Sequence, residues 1–468
     1  MNREAAIPVE ELVEELAPQR RFRPYPEYRE SDIDGVCAVP AHWADKPLKY
    51  VAAVNANKFA DTTDPDYELE YVDIGNVSLI EGVTSTETYH FEDAPSRARR
   101  RVQPGDTIIS TVRTYLKAVA RIDDPPENLV VSTGFAVLHA GPALDPAYLY
   151  RVVQSDAFVE RVVAYSVGVS YPAINPSDLV ALGIPVPPLN EQRAIAAFLD
   201  RETARIDELI AKKQRLIELL AEKRTALISH AVTKGLNPDA PMKDSGIDWL
   251  GDVPAHWAVL SARRVLRRIE QGWSPEADNR LANEDEWAVM RAGCVNSGEF
   301  NEDDHKALPS GMRPDHSLEI HAGDFLMSRA CGSAELVGSV AIVRNCRSRR
   351  LLCDKLFRLH VRRDVADQEF VVTALSSRFV RFQLEGELSG AEGLARNIAQ
   401  SSIRSLLLCV PPLAEQSRIV SVLREQCSRL KSLSDRVADG VSHLREYRSA
   451  VISAAVTGKI DVREEVTE

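Results

Sequence analysis

Few residues of this chain have the types and spacing that could carry out chemistry, and none completes a catalytic motif. The segment Asp124-Pro125-Pro126-Glu127 would fit the loop of an amino-methyltransferase, except that Glu127 stands where an aromatic side chain would stack on the flipped base. No GxxxxGKS or GxxxxGKT sequence is present for an ATP site. His42, His256 and the seven cysteines lack the spacing of a metal site. The sequence therefore predicts no catalytic residue, no metal and no cofactor in this chain.

Arginine clusters are the residues best suited to contact an anionic partner. Arg97, Arg99, Arg100 and Arg101 form one cluster, in a chain with 57 Lys and Arg, 69 Asp and Glu and a formal net charge of −12. The overall acidity argues against a protein that binds nucleic acid by charge alone, because phosphate contacts need cations that release counterions. We interpret the four arginines as phosphate contacts, and an inert solvated face is the alternative.

The elements that would position these residues occur twice in the chain. The sequence VPAHW stands at 39–43 and again at 253–257. The sequence PPLNEQ, which begins a long helical segment at 187, returns as PPLAEQ at 411. Each copy runs from an entry motif through a variable body to the long helix. The chain is therefore a tandem duplication.

Each variable body reads as a mixture of strands and helices. Short β-branched runs bounded by Gly, Pro and Asp, such as 71–80 and 356–361, favour strands. The segments 145–164 and 367–384 have the apolar spacing of helices and follow those strands. The sequence predicts the α+β class for both bodies.

The long helical segment has the most regular pattern of the chain. Its seam positions step by four and three residues, which is the 3.5-residue repeat of a coiled coil. The same register returns 224 residues later, so we expect two long helices that pair with each other, and helices packed each on its own body are the alternative. The predicted pairing residues are Leu199, Ile206, Leu209, Leu216, Leu220, Leu227, Leu423, Leu430, Leu433, Val437 and Leu444.

Antiparallel pairing of these helices would relate the two bodies by a two-fold axis perpendicular to the helices. Duplex DNA has two-fold axes of its own, so two related readers could engage half-sites in opposite orientations. Because the bodies differ in sequence, the predicted target is bipartite and asymmetric, with an unread spacer between its halves.

The repeated motifs resemble those of the specificity subunits of type I restriction-modification systems. The resemblance rests on PPLNEQ and PPLAEQ before heptad helices that end in AVTKG and AVTGK, and on VPAHW in both halves; it covers about Tyr25 to Asp461. It implies two target recognition domains in tandem, joined by two long antiparallel coiled-coil spacer helices. It further implies double-stranded DNA, two methyltransferase subunits and restriction subunits as partners. S-adenosylmethionine, ATP and Mg would then be bound by those partner subunits.

The repeat also predicts the domain bounds. They are an acidic extension at 1–24, recognition domain 1 at 25–188, spacer helix 1 at 189–235, recognition domain 2 at 236–412, spacer helix 2 at 413–459 and a tail at 460–468.

Two segments of each body are candidates to read bases, one after the strand that contains GDTIIS or GDFLMS and one before the double proline. In recognition domain 1 the candidates are Arg113, Thr114, Tyr115, Lys117, Ser170, Tyr171 and Asn175. In recognition domain 2 they are Arg329, Ser333, Arg396 and Asn397. For each residue, an ordinary turn is the alternative.

Two other functions stay open at this level. One is a non-catalytic coiled-coil scaffold or adaptor without sequence-specific DNA binding, and the other is a nuclease or methyltransferase acting alone, which the missing motifs disfavour. No run approaches the roughly 18 to 20 apolar residues of a membrane span. Residues 1–30 carry acidic side chains where a signal peptide would be basic and then apolar. We expect a cytoplasmic protein without a membrane segment.

Overall fold

The chain divides into two compact units, each of which contains one variable body. A computed structural model describes residues 22–60, 62–168, 171–388 and 396–465. Unit 1 combines Met1–Lys213 with Asp439–Glu468, and unit 2 is Gln214–Ala438. Of the predicted acidic extension at 1–24, residues 1–21 lie outside the described part.

The helices begin where the sequence supplies capping residues. Asp145 and Asp367 are equivalent N-caps whose carboxylates accept hydrogen bonds from backbone amides of the first turn. The α-helices are α1 Pro146–Gln154, α2 Asp156–Ala164, α3 Pro176–Ala181, α4 Leu189–Thr233, α5 Ala262–Val265, α6 Gln368–Leu375, α7 Arg378–Glu387, α8 Gln400–Ser405 and α9 Leu413–Val456. The 3-10 turns are Leu48–Tyr50, Ile74–Asn76, Thr114–Leu116, Ala292–Val295, His316–Leu318 and Ala334–Leu336.

The strands of unit 1 form two four-stranded sheets and three two-stranded pairs. They are β1 Tyr28–Glu30, β2 Ala38–Pro40, β3 Ala44–Pro47, β4 Ala52–Val54, β5 Glu68–Val72, β6 Val77–Ser78, β7 Gly82–Val83, β8 Glu87–His90, β9 Ala98–Arg101, β10 Asp106–Ser110, β11 Val119–Ile122, β12 Leu129–Ser132, β13 Phe135–Ala140 and β14 Gly183–Val186. One sheet has the antiparallel order β11-β10-β13-β4. The other has the order β8-β5-β12-β9, in which β5 and β12 are parallel.

Unit 2 repeats this arrangement. Its strands are β15 Met242–Asp244, β16 Asp252–Pro254, β17 Ala258–Ser261, β18 Leu266–Gln271, β19 Ala288–Met290, β20 His305–Ala307, β21 Phe325–Ser328, β22 Ala330–Cys331, β23 Val340–Ile342, β24 Arg350–Leu351, β25 Leu356–Val361, β26 Arg396–Asn397 and β27 Leu407–Val410. The antiparallel sheet β23-β21-β25-β18 matches β11-β10-β13-β4, and β19 and β24 are parallel like β5 and β12. The predicted α+β class is confirmed for both bodies.

Within unit 1, the first half of α4 packs against the last half of α9 in antiparallel orientation. Arg448 forms a two-pronged ion pair with Asp207, through Nε at 2.9 Å and Nη2 at 3.2 Å. Further along α4, Lys213 Nζ lies 3.2 Å from the point where a Cβ of Gly440 would be. The partner position on α9 therefore falls as the position on α4 rises, so the predicted antiparallel spacer helices are confirmed.

The predicted pairing residues all turn away from solvent. Leu199, Ile206, Leu220, Leu423 and Val437 are buried. The half-buried ones are Leu209, Leu216, Leu227, Leu430, Leu433 and Leu444. The structure adds side chains outside the 4-3 seam, because Phe198 and Ile210 are also buried in the core of unit 1.

Three repeated motifs meet at one joint in unit 1. Trp43 of VPAHW is buried, and its indole Nε1 donates to Glu191 Oε1 of PPLNEQ at 3.1 Å. His42 Nε2 lies 2.9 Å from the other oxygen of Glu191. Gly458 of AVTGK has a φ of 72°, and a Cβ there would collide with Pro40. The motifs therefore fix the ends of α4 and α9 to their body.

Unit 2 forms a similar joint from its own copies, but without a hydrogen bond from the tryptophan indole to the glutamate. His256 Nε2 lies 2.7 Å from Glu415 Oε2, and Trp257 is buried beside Gly235, which has a φ of 80°. Both tryptophans of the repeated VPAHW motif are therefore core residues. The duplicated motifs thus connect the long helices to the body within each unit.

Candidate nucleic-acid interface

The two candidate reading segments of each body lie side by side. In unit 1, Val112 pairs with Ala173, and the Arg113 amide donates to the Pro172 carbonyl at 2.8 Å. In unit 2, β22 pairs with β26 through Ala330 opposite Asn397. These are equivalent pairs, because Ala330 follows Val112 by 218 positions and Asn397 follows Ala173 by 224, the same offsets as between the flanking motifs. Both units therefore present two variable segments at the same place on a common scaffold.

The first segment of unit 1 is a tight turn held in a demanding backbone conformation. Arg113 and Lys117 have φ values of 51° and 52°, which are uncommon for side chains other than Gly, and they flank the 3-10 turn Thr114–Leu116. Such positions cost on the order of 1 kcal/mol or more and concentrate at functional sites. Thr114 is buried and its hydroxyl lies 2.8 Å from Ser166 Oγ. Thr114 therefore holds the turn and does not project into solvent.

The other predicted reading residues of unit 1 are spread around this turn. Arg113 is exposed, and its guanidinium lies 4.9 Å from the centre of the exposed Tyr171 ring. Tyr115 is exposed, and Lys117 forms an ion pair with Asp156 at 3.3 Å. Asn175 is exposed at the start of α3, where its amide donates to Asp178. Ser170 lies outside the described residues.

The predicted reading residues of unit 2 are less exposed than those of unit 1. Arg329 is half-buried, donates to the Asp354 carbonyl at 3.3 Å and lies 5.9 Å from the Phe357 ring. Ser333 is exposed at the start of the Ala334–Leu336 turn. Arg396 and Asn397 are half-buried in β26. The contact of all these residues with bases stays a prediction.

The arginine cluster of unit 1 lies on and beside the edge strand β9, and its members differ in the face of the strand that they occupy. Arg99 stacks on Phe91 at 4.6 Å and Arg101 on Phe59 at 5.3 Å, while Arg97 is exposed just before the strand. Arg100 is on the opposite face of β9, and burial lowers its pKa. Alternation along a strand explains the difference. Three of the four arginines therefore remain available for phosphate, and their contact with it stays a prediction.

A cationic cavity in unit 2 was not evident from the sequence. It measures about 470 Å³ and is lined by residues that include Arg267, Arg268, Arg358, His360 and Arg363. In the sequence, the arginines of β18 and those at 362–363 form two separate runs. Arg358 and His360, at alternate positions of β25, complete the lining of the cavity. Only the pairing of β18 with β25 brings them together.

This cavity is partly neutralised from within. Glu270 lies 2.7 Å from Arg268, 3.3 Å from Arg358 and 3.0 Å from His360. Burial alone would raise the pKa of Glu270, but these neighbours together lower it below its ordinary value. The cavity lies at the start of β21, whereas Arg329 follows the end of that strand. It is therefore at the opposite end of the sheet from the reading segments.

Within the four described ranges, no cluster of three His, Cys, Asp or Glu side chains could hold a metal ion. No helix in the described part of the chain is long and apolar enough to span a membrane.

The chain is similar to proteins of one family. Residues 40–219 match the model of the type I restriction modification DNA specificity domain. The chain is 27% identical over 235 residues to the type I restriction enzyme EcoEI specificity subunit of Escherichia coli, which covers 49% of this chain and 39% of that protein. It is 22% identical over 329 residues to the EcoKI specificity subunit of Escherichia coli strain K12, which covers 69% of this chain and 68% of that protein.

A solved structure extends the likeness to most of the chain. A chain from a structural study of complex assembly and conformational transition of the type I R-M system matches with a TM-score of 0.70 and 21% identity. The match covers 90% of this chain and 99% of that one. At this identity the likeness shows that the fold, including both units, is shared.

Proposed function

We propose that this chain, which is similar to type I restriction enzyme specificity subunits, is the DNA sequence-recognition subunit of such a complex. Each recognition domain reads one half of an asymmetric bipartite site. The spacer helices set the distance between the halves and dock two methyltransferase subunits. The chain itself is non-catalytic, and S-adenosylmethionine, ATP and Mg are bound by the methyltransferase and restriction subunits.

One observation carries this proposal: the same two segments are paired in both units on the same scaffold, but with different side chains. The paired residues are Val112 and Ala173 in unit 1 but Ala330 and Asn397 in unit 2, and Arg113 of unit 1 corresponds to Cys331 of unit 2. A duplicated scaffold with unlike variable segments is what reading two different half-sites requires. A scaffold or adaptor without DNA specificity gives no reason for this pattern.

The acidity of the chain is compatible with this function if its partners share the phosphate contacts. The salt dependence of DNA affinity counts the phosphates that a protein neutralises. We expect a steeper slope for the chain assembled with methyltransferase subunits than for the chain alone. Equal slopes would contradict shared neutralisation without bearing on sequence reading.

Base-resolution methylation mapping tests the recognition function directly. Cells that express this chain together with its methyltransferase partner are compared with cells that express the partner alone. We expect a bipartite adenine-methylated motif that depends on this chain. If no such motif appears, the proposed function is wrong.

Two variants sharpen the mapping. Replacing residues 45–185 with the body of a related subunit should change one half of the motif and leave the other half intact. Inserting one heptad after Leu216 should lengthen only the spacer. Because α4 and α9 are paired, we expect this second variant to need a matching heptad after Gly440, which stands 224 positions later.

A further inference from the structure

Recognition domain 1 presents a patch of exposed apolar side chains at its reading segments. Tyr115 is 53% exposed, Leu116 46%, Val167 81% and Tyr171 65%. We call these four residues the apolar tip. Large apolar side chains that are grouped at a surface commonly mark a binding site, whereas scattered ones do not.

The backbone brings the members of the apolar tip together. Ala173 pairs with Val112 on one side and with Val167 on the other. The hydroxyls of Thr114 and Ser166 join the same two segments at 2.8 Å. Leu116 and Tyr115 thus project from a 3-10 turn that is tied down at its base and flanked by two residues with positive φ. The tip is a short, braced protrusion.

Two cationic residues flank the turn that carries Tyr115 and Leu116. Arg113 is exposed and stacks on Tyr171, and Lys117 closes the turn on its other side. Aromatic and apolar groups interleaved with cations suit a partner that has flat apolar faces inside an anionic backbone, which is the chemistry of nucleic acid. An apolar protein surface would not need the exposed cation of Arg113, whereas Lys117 is already paired with Asp156.

Recognition domain 2 carries different side chains at the turn that corresponds to Tyr115 and Leu116. At the offset of 218, these two residues correspond to Ser333 and Ala334. Ser333 is exposed, and Ala334 begins the 3-10 turn Ala334–Leu336. The positions that correspond to Val167 and Tyr171 lie outside the described residues. The first reading segment therefore carries large apolar side chains in unit 1 and small ones in unit 2.

We infer that recognition domain 1 inserts Leu116, supported by Tyr115, between two stacked base pairs of its half-site, and that recognition domain 2 makes no such insertion. This inference rests on the proposed function. An inserted apolar side chain unstacks one base step and kinks the duplex, and the buried apolar surface offsets the lost stacking. The braced turn supplies the rigidity that a wedge requires.

Fluorescence of 2-aminopurine tests the insertion, because this base brightens when it is unstacked. The probe is the duplex identified by methylation mapping, with 2-aminopurine placed at successive positions of either half-site. The protein is the full chain assembled with methyltransferase subunits. A methyltransferase that flips its target adenine will brighten the methylated position in each half. We expect one additional bright position in the half read by domain 1 and none in the other half.

Three variants identify the side chain responsible. Leu116→Ala should abolish the additional signal and weaken binding of the duplex about tenfold, while the signal at the methylated adenines remains. Leu116→Met should retain the additional signal. Leu281→Ala, which removes a leucine elsewhere that is 60% exposed, should behave as the wild type.

Each contrary result has its own meaning. If the duplex is bound specifically but no additional position brightens, or if Leu116→Ala keeps that position bright, the insertion is wrong and the recognition function stands. If Leu116→Ala weakens assembly with methyltransferase subunits without affecting DNA, the tip is a protein contact and the insertion is also wrong. If the wild type shows no sequence-dependent binding at all, the proposed function fails first.

Discussion

The indole Nε1 of Trp43 donates a hydrogen bond to Glu191 Oε1 at 3.1 Å, joining a residue near the start of recognition domain 1 to the first turn of α4. His42 contacts the same carboxylate, and the end of α9 packs against the same motif through Gly458. Motifs that recur in both halves of the chain thus contact each other. The residues that differ between the halves are the ones left for recognition.

Removing the carboxylate of Glu191 should destabilise unit 1. Glu191 is buried, so Glu191→Ala leaves the buried Trp43 indole without its acceptor, and we expect the free energy of unfolding to fall by about 2 kcal/mol. The matched change is Glu415→Ala, because Glu415 is partly exposed and contacts His256 but does not accept from Trp257. Its loss should stay below about 1 kcal/mol. Urea denaturation measures both, and equal losses would contradict the asymmetry of the two joints.

The ion pair between Arg448 and Asp207 should couple α9 to α4. A double-mutant cycle with Arg448→Met and Asp207→Asn should give a coupling of about 1 kcal/mol, because the pair is two-pronged but Asp207 is partly exposed to solvent. The control cycle is Lys431→Met with Asp435→Asn, an exposed pair within one helix, which should give less than about 0.5 kcal/mol. No difference between the cycles would argue against this helix register.

Arg113 and Arg329 should each affect one half-site. Arg113→Ala should reduce discrimination at one or more positions of the half read by domain 1, by about 1 to 3 kcal/mol, and leave the other half unchanged. Arg329→Ala should do the opposite. Competition binding against duplexes altered in one half at a time measures this. Arg113→Lys should not restore discrimination, because lysine loses the planar stacking on Tyr171. Effects on both halves from one variant would refute separate readers.

The arginines of β9 should act on the DNA backbone without reading sequence. Arg99→Gln and Arg101→Gln should each lower the slope of log affinity against log salt by about 1, with discrimination between half-sites preserved. Arg100→Gln is the internal control, since this side chain lies on the other face of the strand and is partly buried there. It should leave the slope unchanged. If the slope falls equally for all three variants, the phosphate contacts do not depend on which face of β9 carries the arginine.

The sequence predicts the periodic elements well and the non-local pairs poorly. The seam from Leu199 to Leu227 is legible because each step is local and repeats. The bridge between Val112 and Ala173 has no local signal, since it depends on how two distant loops leave the sheet. The same limit applies to Thr114. Its place in the sequence suggests an exposed side chain that contacts DNA, but the side chain is buried and its hydroxyl contacts Ser166.

Unit 1 is built from two separate segments of the chain, which determines the order in which the two units can be completed during synthesis. Its core joins Ile195 and Leu199 with Val451 and Ile452, so it draws on both a leading and a trailing stretch of chain, whereas unit 2 is one uninterrupted stretch. During synthesis, unit 2 is therefore complete before unit 1, which still lacks its second stretch of chain. Until α9 has been synthesised, the apolar side chains of α4 that pack against it have no partner helix, and exposed apolar surface of this kind favours aggregation.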